Sequence, residues 1–170
     1  MIASICLGPM LACLALGAQS TPPAPHQLIR DGLERSRDAF VRTGRGRVAF
    51  LGGSITFNPG WRELVGADLR RRFPDTEFEF VSAGIPSTGS TPGAFRLRRD
   101  VLAHGRIDLL FEEAAVNDST NGRSALEQRR GMEGIVRHTL RSNPHADVVL
   151  LHFVDPAKME DYRAGRTPEV

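Results

Sequence analysis

Short apolar runs alternate along this chain with longer stretches in which apolar residues recur every three or four positions. An uninterrupted apolar run such as residues 48–51 is typical of a parallel strand that is buried on both faces. The periodic stretches predict amphipathic helices with one apolar face. Strands that alternate with such helices predict β-α-β units, and therefore an α/β fold with a parallel sheet covered by helices on both faces.

The pattern sets approximate bounds for each element. Strands are predicted over residues 48–51, 77–83, 107–115 and 147–153, and helices over 26–43, 59–73, 92–103, 124–143 and 156–164. Asn58 is expected to cap the second helix, with Pro59 as its first residue. Ser124 and Glu127 form a capping box at the start of the fourth helix.

The first twenty residues carry no charged side chain and are rich in Ile, Leu and Ala. This pattern predicts a signal peptide over 1–20, and hence a secreted or periplasmic protein with no stable membrane insertion after processing. Residues 21–46 are interpreted as a Pro-rich tether and a leading helix, and 47–170 as the main domain. The alternatives are a buried N-terminal helix and a lipid anchor on Cys13. Because Cys13 and Cys6 both lie in this segment, a processed chain is expected to have no disulfide.

Charge and composition exclude several classes of function. The formal net charge is only +2, and the arginines scatter over several helices, so no nucleic-acid partner is expected and the arginines are interpreted as solvated helix faces. No His, Cys or Asp cluster has metal-ligand spacing. The nucleotide-binding motif G-x-x-x-x-G-K-[ST] is absent, and no G-x-G-x-x-G follows the first strand, so no cofactor is expected. A phosphate or nucleotide binder is therefore the least favoured interpretation. The sequence carries no signal for an oligomeric state.

The sequence Gly52-Gly53-Ser54 directly follows the first predicted strand. The glycines allow a sharp turn that leaves Ser54 beyond the carboxyl end of the strand. A serine hydroxyl becomes a nucleophile when a base takes its proton and hydrogen-bond donors stabilise the oxyanion that forms. The competing interpretation is a glycine turn with a solvated serine.

Two further positions follow the second and third predicted strands, namely Gly84 and Asn117. The carboxyl ends of parallel strands form the ligand-binding edge of such a sheet. The N–H groups of Ser54 and Gly84 and the side-chain amide of Asn117 are therefore candidate oxyanion donors. Taken singly, Gly84 is equally well explained as a turn glycine and Asn117 as a loop-capping amide.

The G-G-S-I-T block, Gly84 and the A-V-N-D block at 115–118 together resemble the SGNH subgroup of GDSL hydrolases. These are esterases and lipases with a flavodoxin-like three-layer α/β/α sandwich. The resemblance implies that Ser54 is the nucleophile and that Ser54, Gly84 and Asn117 form the oxyanion hole. Gly53 replaces the Asp of the family's G-D-S-L motif, and Ala115 replaces a glycine.

Three acidic residues in or near the A-V-N-D block receive no catalytic role. Asp118 is expected to brace the Asn117 loop. Glu112 and Glu113 lie at the end of a buried strand, where carboxylates are rare. One of these two is expected to point toward an arginine or solvent.

The family also has an Asp-x-x-His motif that activates the serine, and none of the five histidines here follows an aspartate by three residues. His152 ends the fourth predicted strand, about 10 Å from the first, and is expected to be structural or substrate-facing. The resemblance thus implies that the base, with the last strand and helix of the family fold, lies beyond Val170, and that these 170 residues alone are inactive. The resemblance also implies a small-molecule or carbohydrate ester as the substrate, with an O-acetyl ester on a carbohydrate as the favoured one. The alternative is a carbohydrate- or envelope-binding pseudoenzyme.

Overall fold

The structure, a computed structural model, describes residues 32–153 and 156–166. The predictions for the signal peptide, the tether and the first part of the leading helix lie outside the described residues, as do both cysteines.

Helices and strands alternate through the described chain. The elements, in chain order, are α1 (Glu34–Thr43), β1 (Arg45–Gly52), α2 (Ser54–Phe57), α3 (Trp61–Arg72), β2 (Glu77–Gly84), α4 (Ser90–Asp100), a 3-10 turn (Leu102–His104), β3 (Leu109–Glu113), α5 (Ala115–Thr120), α6 (Ala125–Ser142), β4 (Asp147–Leu151) and α7 (Pro156–Arg163). The predicted alternation is confirmed.

The described residues form a four-stranded parallel sheet in the order β2-β1-β3-β4. Gly52 at the end of β1 pairs with Gly84 of β2 and with Glu113 of β3. The carboxyl ends of these three strands are therefore level, and they present their following loops at one edge. The α/β fold predicted from the sequence is confirmed.

The two faces of the sheet carry separate apolar cores. On one face, Phe40 of α1 and residues of α3 pack against Phe50 in a cluster of aromatic rings. On the other face, Leu97 of α4 and Ile135 of α6 pack against Leu51. Helices thus cover both faces of the sheet, which is the three-layer arrangement expected.

Helix α1 belongs to the same folded unit as the sheet. Its Ser36 donates through both its backbone N–H and its hydroxyl to Asp147 Oδ2 of β4, at 2.8 and 2.7 Å, and Phe40 is almost completely buried. The boundary expected at residue 47 therefore runs inside the packed unit.

The start of the second predicted helix differs from the prediction. Residues 54–57 already form their own short helix, for which Asn58 is the C-cap, and α3 begins only at Trp61. Gly60 precedes α3 with φ +139°, a conformation that favours glycine, and its N–H donates to Glu63 Oε2 at 2.6 Å. By contrast, the capping box of Ser124 and Glu127 is confirmed.

Candidate active site

Ser54 is the first residue of α2 and follows β1 with only Gly53 between them. The helix is closed by hydrogen bonds from Phe57 N–H to Gly53 O and from Asn58 N–H to Ser54 O, both 2.9 Å. The first N–H groups of a helix have no partner within it, so the Ser54 N–H is free to serve another acceptor. Ser54 is half-buried, and its hydroxyl makes no hydrogen bond to any residue that the structure describes.

A carboxylate from the sheet supports the beginning of α2. Glu113 Oε2 accepts hydrogen bonds from Thr56 Oγ1 at 3.0 Å and from Gly53 N–H at 3.3 Å. These donors lie on either side of Ser54 in the chain. Glu113 therefore holds the turn that carries the candidate nucleophile.

Two side chains of α3 support the other end of α2. Trp61 Nε1 donates to Ile55 O at 3.2 Å, and Arg62 Nη2 donates to Phe57 O at 3.2 Å. A single helical turn is not stable by itself, because helix nucleation is unfavourable. The conformation around Ser54 is thus maintained by neighbouring elements at both of its ends.

Asn117 is the third residue of α5, which is separated from the end of β3 by one residue, and does not lie in a loop. A Cβ atom placed on Gly53 would overlap Asn117 Oδ1 and would lie 3.1 Å from Thr88 O. The Asn117 side chain therefore occupies the space left by the missing side chain of Gly53. The structure thereby places the Asn117 side chain beside the residue that precedes Ser54.

Gly84 occupies a different position, beneath the last turn of α2. A Cβ atom there would lie 2.6 Å from Thr56 C and 2.7 Å from Phe57 Cα. The following N–H, of Ile85, donates to Gly52 O at 3.0 Å. Because successive N–H groups of a strand point to opposite sides, the Gly84 N–H is directed away from β1, toward the outer edge of β2. The structure does not direct this donor toward Ser54, and the close packing of α2 explains why the residue is glycine.

The loop after β2 contains a strained residue that the sequence analysis missed. Ser87 has φ +62°, and its carbonyl accepts a hydrogen bond from Asn121 Nδ2 of the α5 end at 3.0 Å. A left-handed residue other than glycine costs of order 1 kcal/mol or more, and such residues concentrate at functional sites. Pro86 signals a turn here, but no sequence feature indicates this conformation for a serine.

Arg96 of α4 ties β1 and β2 together just below the site. Its guanidinium donates to Ala83 O at 2.7 Å and to Gly52 O at 3.0 Å. The side chain is only 8% exposed and also pairs with Asp100 at 3.2 Å. The interpretation of the arginines as solvated helix faces is therefore wrong for this residue.

The expectation that Glu112 or Glu113 faces an arginine or solvent is also wrong. Glu112 is 1% exposed and Glu113 is 0% exposed. Neither carboxylate oxygen of Glu112 has a hydrogen-bond partner among the described residues. Burial, with the nearby carboxylates of Asp118 and Glu113, raises the pKa of Glu112 to about 8.

Asp118 fastens α5 to α4. Its Oδ1 accepts a hydrogen bond from Ser90 N–H, the first residue of α4, at 2.9 Å. A carboxylate is favourable at a helix N-terminus, where N–H groups lack partners. Asp118 thus fixes the helix that carries Asn117, which agrees with the structural role expected for it.

His152 follows β4, two strands away from β1. Partial burial and the nearby Lys158 ammonium lower the pKa of its imidazole. No hydrogen bond joins His152 to Ser54. Its expected structural or substrate-facing role remains a prediction.

Two features are absent from the described part of the chain. No group of three or more His, Cys, Asp or Glu residues could hold a metal ion. Among the helices that the structure describes, none combines the length and the apolar character needed to cross a membrane.

Several solved esterase structures are similar to this chain. A two-domain esterase (CEX) active on acetylated mannans is 31% identical with a TM-score of 0.60, covering 71% of this chain and 34% of that one. The same kind of enzyme co-crystallised with mannopentaose gives 27% identity and a TM-score of 0.63, covering 77% of this chain and 38% of that one. AlinE4, an SGNH-hydrolase family esterase, is 20% identical with a TM-score of 0.57, covering 68% and 62% of the two chains, and shows likeness of fold alone.

The chain therefore spans little more than a third of the length of the two-domain esterases that it matches. At the level of sequence, no curated protein matches it. A model of the GDSL-like lipase/acylhydrolase family matches residues 50–169, which include both the Ser54 turn and Asn117. Together with the parallel sheet and the placement of these blocks at its carboxyl edge, this match shows that the chain belongs to the GDSL-like lipase/acylhydrolase family.

Proposed function

We propose that this protein is a serine ester hydrolase that forms an acyl-enzyme on Ser54. The family and the esterases of similar structure support ester hydrolysis as the class of reaction. The observation that carries the assignment to Ser54 is local. Ser54 is half-buried at the N-terminus of α2, and the Asn117 side chain lies directly against the preceding residue.

In the proposed mechanism, Ser54 Oγ attacks the ester carbonyl while its proton passes to a general base. The Ser54 N–H and the Asn117 amide donate hydrogen bonds to the oxyanion of the tetrahedral intermediate. The intermediate collapses as the base returns the proton to the departing alcohol, and water then hydrolyses the acyl-enzyme. Gly84 was also assigned a donor role from the sequence. Because its N–H faces the outer edge of β2, the proposal rests on the other two donors.

The general base is proposed to be an Asp-His pair encoded after Val170, because these 170 residues contain no Asp-x-x-His. In a serine hydrolase, loss of the base alone lowers turnover by about 10⁶-fold. We therefore expect negligible hydrolysis by these residues alone.

The proposed substrate is an ester on a carbohydrate, with O-acetyl as the leading acyl group. The support is the esterase active on acetylated mannans, which is 31% identical over 71% of this chain. Export of the protein, expected from residues 1–20, would suit a polysaccharide substrate. N-terminal sequencing of the protein recovered from its host tests that export.

A fluorophosphonate probe tests the nucleophile in the protein extended by the codons that follow Val170. We expect labelling at Ser54, loss of labelling in Ser54→Ala, and full labelling in the matched control Ser119→Ala, whose residue is exposed on α5. Acetate release from acetylated mannan should follow the same order. Absence of labelling in the unsubstituted protein, or labelling that survives Ser54→Ala, would contradict the proposal.

The second candidate is a carbohydrate-binding pseudoenzyme with the same fold. It is favoured by the missing Asp-x-x-His and by a Ser54 hydroxyl with no hydrogen bond among the described residues. It predicts saturable binding of mannan oligosaccharides with neither acetate release nor probe labelling. An Asp-x-x-His encoded downstream of Val170 would count decisively against it.

A further inference from the structure

Glu113 is a completely buried carboxylate at the last position of β3. Alternation along the strand places it on the same face as Phe111, toward α2 and α3, whereas Glu112 lies on the opposite face with Leu110. A buried carboxylate is unfavourable unless hydrogen bonds compensate for its lost hydration. Its partners therefore indicate why the fold retains it.

Those partners all belong to the turn that carries Ser54. Glu113 Oε2 accepts from Thr56 Oγ1 at 3.0 Å and from Gly53 N–H at 3.3 Å, and the backbone carbonyl of Glu113 also accepts from Gly53 N–H at 3.2 Å. One residue of β3 thus holds the residue before Ser54 and the residue two positions after it.

Gly52 leaves the space that this arrangement needs. A Cβ atom at Gly52 would overlap Thr56 Oγ1 and Glu113 O, and would lie 2.9 Å from Glu113 Oε2. Gly52 has no positive φ, so its conformation does not require glycine. The space occupied by the pair of Glu113 and Thr56 is what excludes a side chain at this position.

Helix α2 needs such support from outside. Its N-cap residue, Gly53, has no side chain that could accept from the first N–H groups, and the helix has only four residues. Glu113 supplies this support from a neighbouring strand, by accepting from the N–H of the N-cap residue Gly53 and from the Thr56 hydroxyl inside the helix.

We propose that Glu113, acting through Thr56 and Gly53, is the positioning residue that sets the location of the Ser54 hydroxyl relative to Asn117. The inference rests on the proposed function of Ser54. Glu113 does not exchange protons with substrate in this role, because it is sealed from solvent and its Oε2 is committed to the turn. A displacement of about 1 Å in a reacting group can lower the rate by about 100-fold, so the contact matters for chemistry as well as for folding.

Burial raises the pKa of Glu113, while the hydrogen bonds from Thr56 and Gly53 act in the opposite direction. Both donors favour the ionised carboxylate. The net direction of the pKa is upward, so burial outweighs these hydrogen bonds.

The test compares Glu113→Ala, Glu113→Gln, Thr56→Val and Thr56→Ser in the downstream-extended protein. The matched control is Leu110→Ala, which opens a cavity on the opposite face of the same strand and lowers overall stability. Deuterium exchange in the peptide around Ser54 reports the order of the turn. The rate of fluorophosphonate labelling reports the reactivity of Ser54, and kcat and KM are measured separately on an acetyl ester.

We expect Glu113→Ala and Thr56→Val to speed exchange in this peptide and to lower the labelling rate at least tenfold, with the loss in kcat rather than KM. Thr56→Ser keeps the hydroxyl, so its exchange and labelling rates should match those of the unsubstituted protein. Glu113→Gln keeps one acceptor oxygen, so its rates should lie between those of the unsubstituted protein and Glu113→Ala. Leu110→Ala should lower the denaturation midpoint without either local effect. If Glu113→Ala does not fold, the comparison of Thr56→Val with Thr56→Ser tests the role of Glu113 instead.

Unchanged exchange around Ser54 in Glu113→Ala or Thr56→Val, or equal local effects in Leu110→Ala, would overturn the inference. The exchange measurement needs no catalysis. If the unsubstituted protein is not labelled, the proposed function fails while exchange still decides the role of Glu113.

Discussion

Replacing Glu112 by glutamine is expected to stabilise the protein, and to stabilise it more as the pH rises. The carboxyl group is 1% exposed and has no hydrogen-bond partner among the described residues. Burial, then the Asp118 and Glu113 carboxylates, raises its pKa from the ordinary 4.5 to about 8. At neutral pH the folded protein therefore holds a proton on Glu112 that the unfolded chain releases.

The sign and size of the effect follow from this difference. Between about pH 4.5 and pH 8 the folded state binds one more proton than the unfolded state, so the free energy of unfolding falls as pH rises, by about 1.4 kcal/mol per pH unit. The stability that this extra proton on Glu112 contributes is complete below the pKa of the unfolded chain and is lost above the pKa of the folded protein. The whole shift corresponds to a ceiling of about 5 kcal/mol. Glutamine cannot ionise, so the variant should lack this slope.

Urea unfolding at a series of pH values from 5 to 8 measures the effect. The stability of Glu112→Gln relative to the wild type should grow by about 3 kcal/mol between pH 5 and pH 7. The matched control, Glu133→Gln, changes an exposed glutamate of α6 and should differ from the wild type by less than about 0.5 kcal/mol throughout. Parallel stability curves for Glu112→Gln and the wild type would refute the reasoning.

Three other substitutions have expected outcomes that can be checked by urea unfolding and probe labelling. Arg96→Met should lower the free energy of unfolding by about 3 kcal/mol, because two buried strand-end carbonyls lose their charged donor; a loss below about 1 kcal/mol would contradict this. Gly53→Ala should displace the Asn117 side chain and reduce labelling of Ser54. The control Gly134→Ala should leave labelling unchanged, because its new Cβ makes only an ordinary contact at 3.5 Å. Equal labelling of the two variants would show that the Asn117 contact is unimportant. Asp147→Ala should cost about 2 kcal/mol, because it leaves the buried Ser36 N–H of α1 without its acceptor, while the Ser36 hydroxyl keeps Leu33 O as an acceptor. An unchanged urea midpoint would argue against a role for this link.

The difference between Glu112 and Glu113 illustrates what a strand pattern cannot decide. Two adjacent glutamates in an apolar run are unusual, and the sequence marks them as such. Alternation sends them to opposite faces of the sheet, where one meets the Ser54 turn and the other meets no donor in the part of the chain that the structure describes. Which face holds a partner depends on helices that are distant in the chain.

The candidate site also combines a feature that the sequence predicts with features that depend on the packing of α2. The apolar run, the two glycines and the serine place Ser54 at the edge of the sheet from sequence alone, because a buried strand must end where the glycines permit a turn. The same pattern suggested Asn58 as a helix cap and the Gly84 N–H as an oxyanion donor. In the structure, Asn58 is instead the C-cap of α2, and that helix packs over Gly84.

By itself, the sequence determined the order of strands and helices, the parallel α/β fold and the edge at which the polar blocks gather. These depend on local periodicity and on turn residues, which act over a few positions. Only the tertiary structure decided that Asn117 fills the space at Gly53, that Arg96 binds the strand ends and that Glu113 supports Ser54. Except for the bond from Arg96 to Ala83, these contacts join residues more than forty positions apart. Their existence depends on the packing of whole elements, which no local pattern encodes.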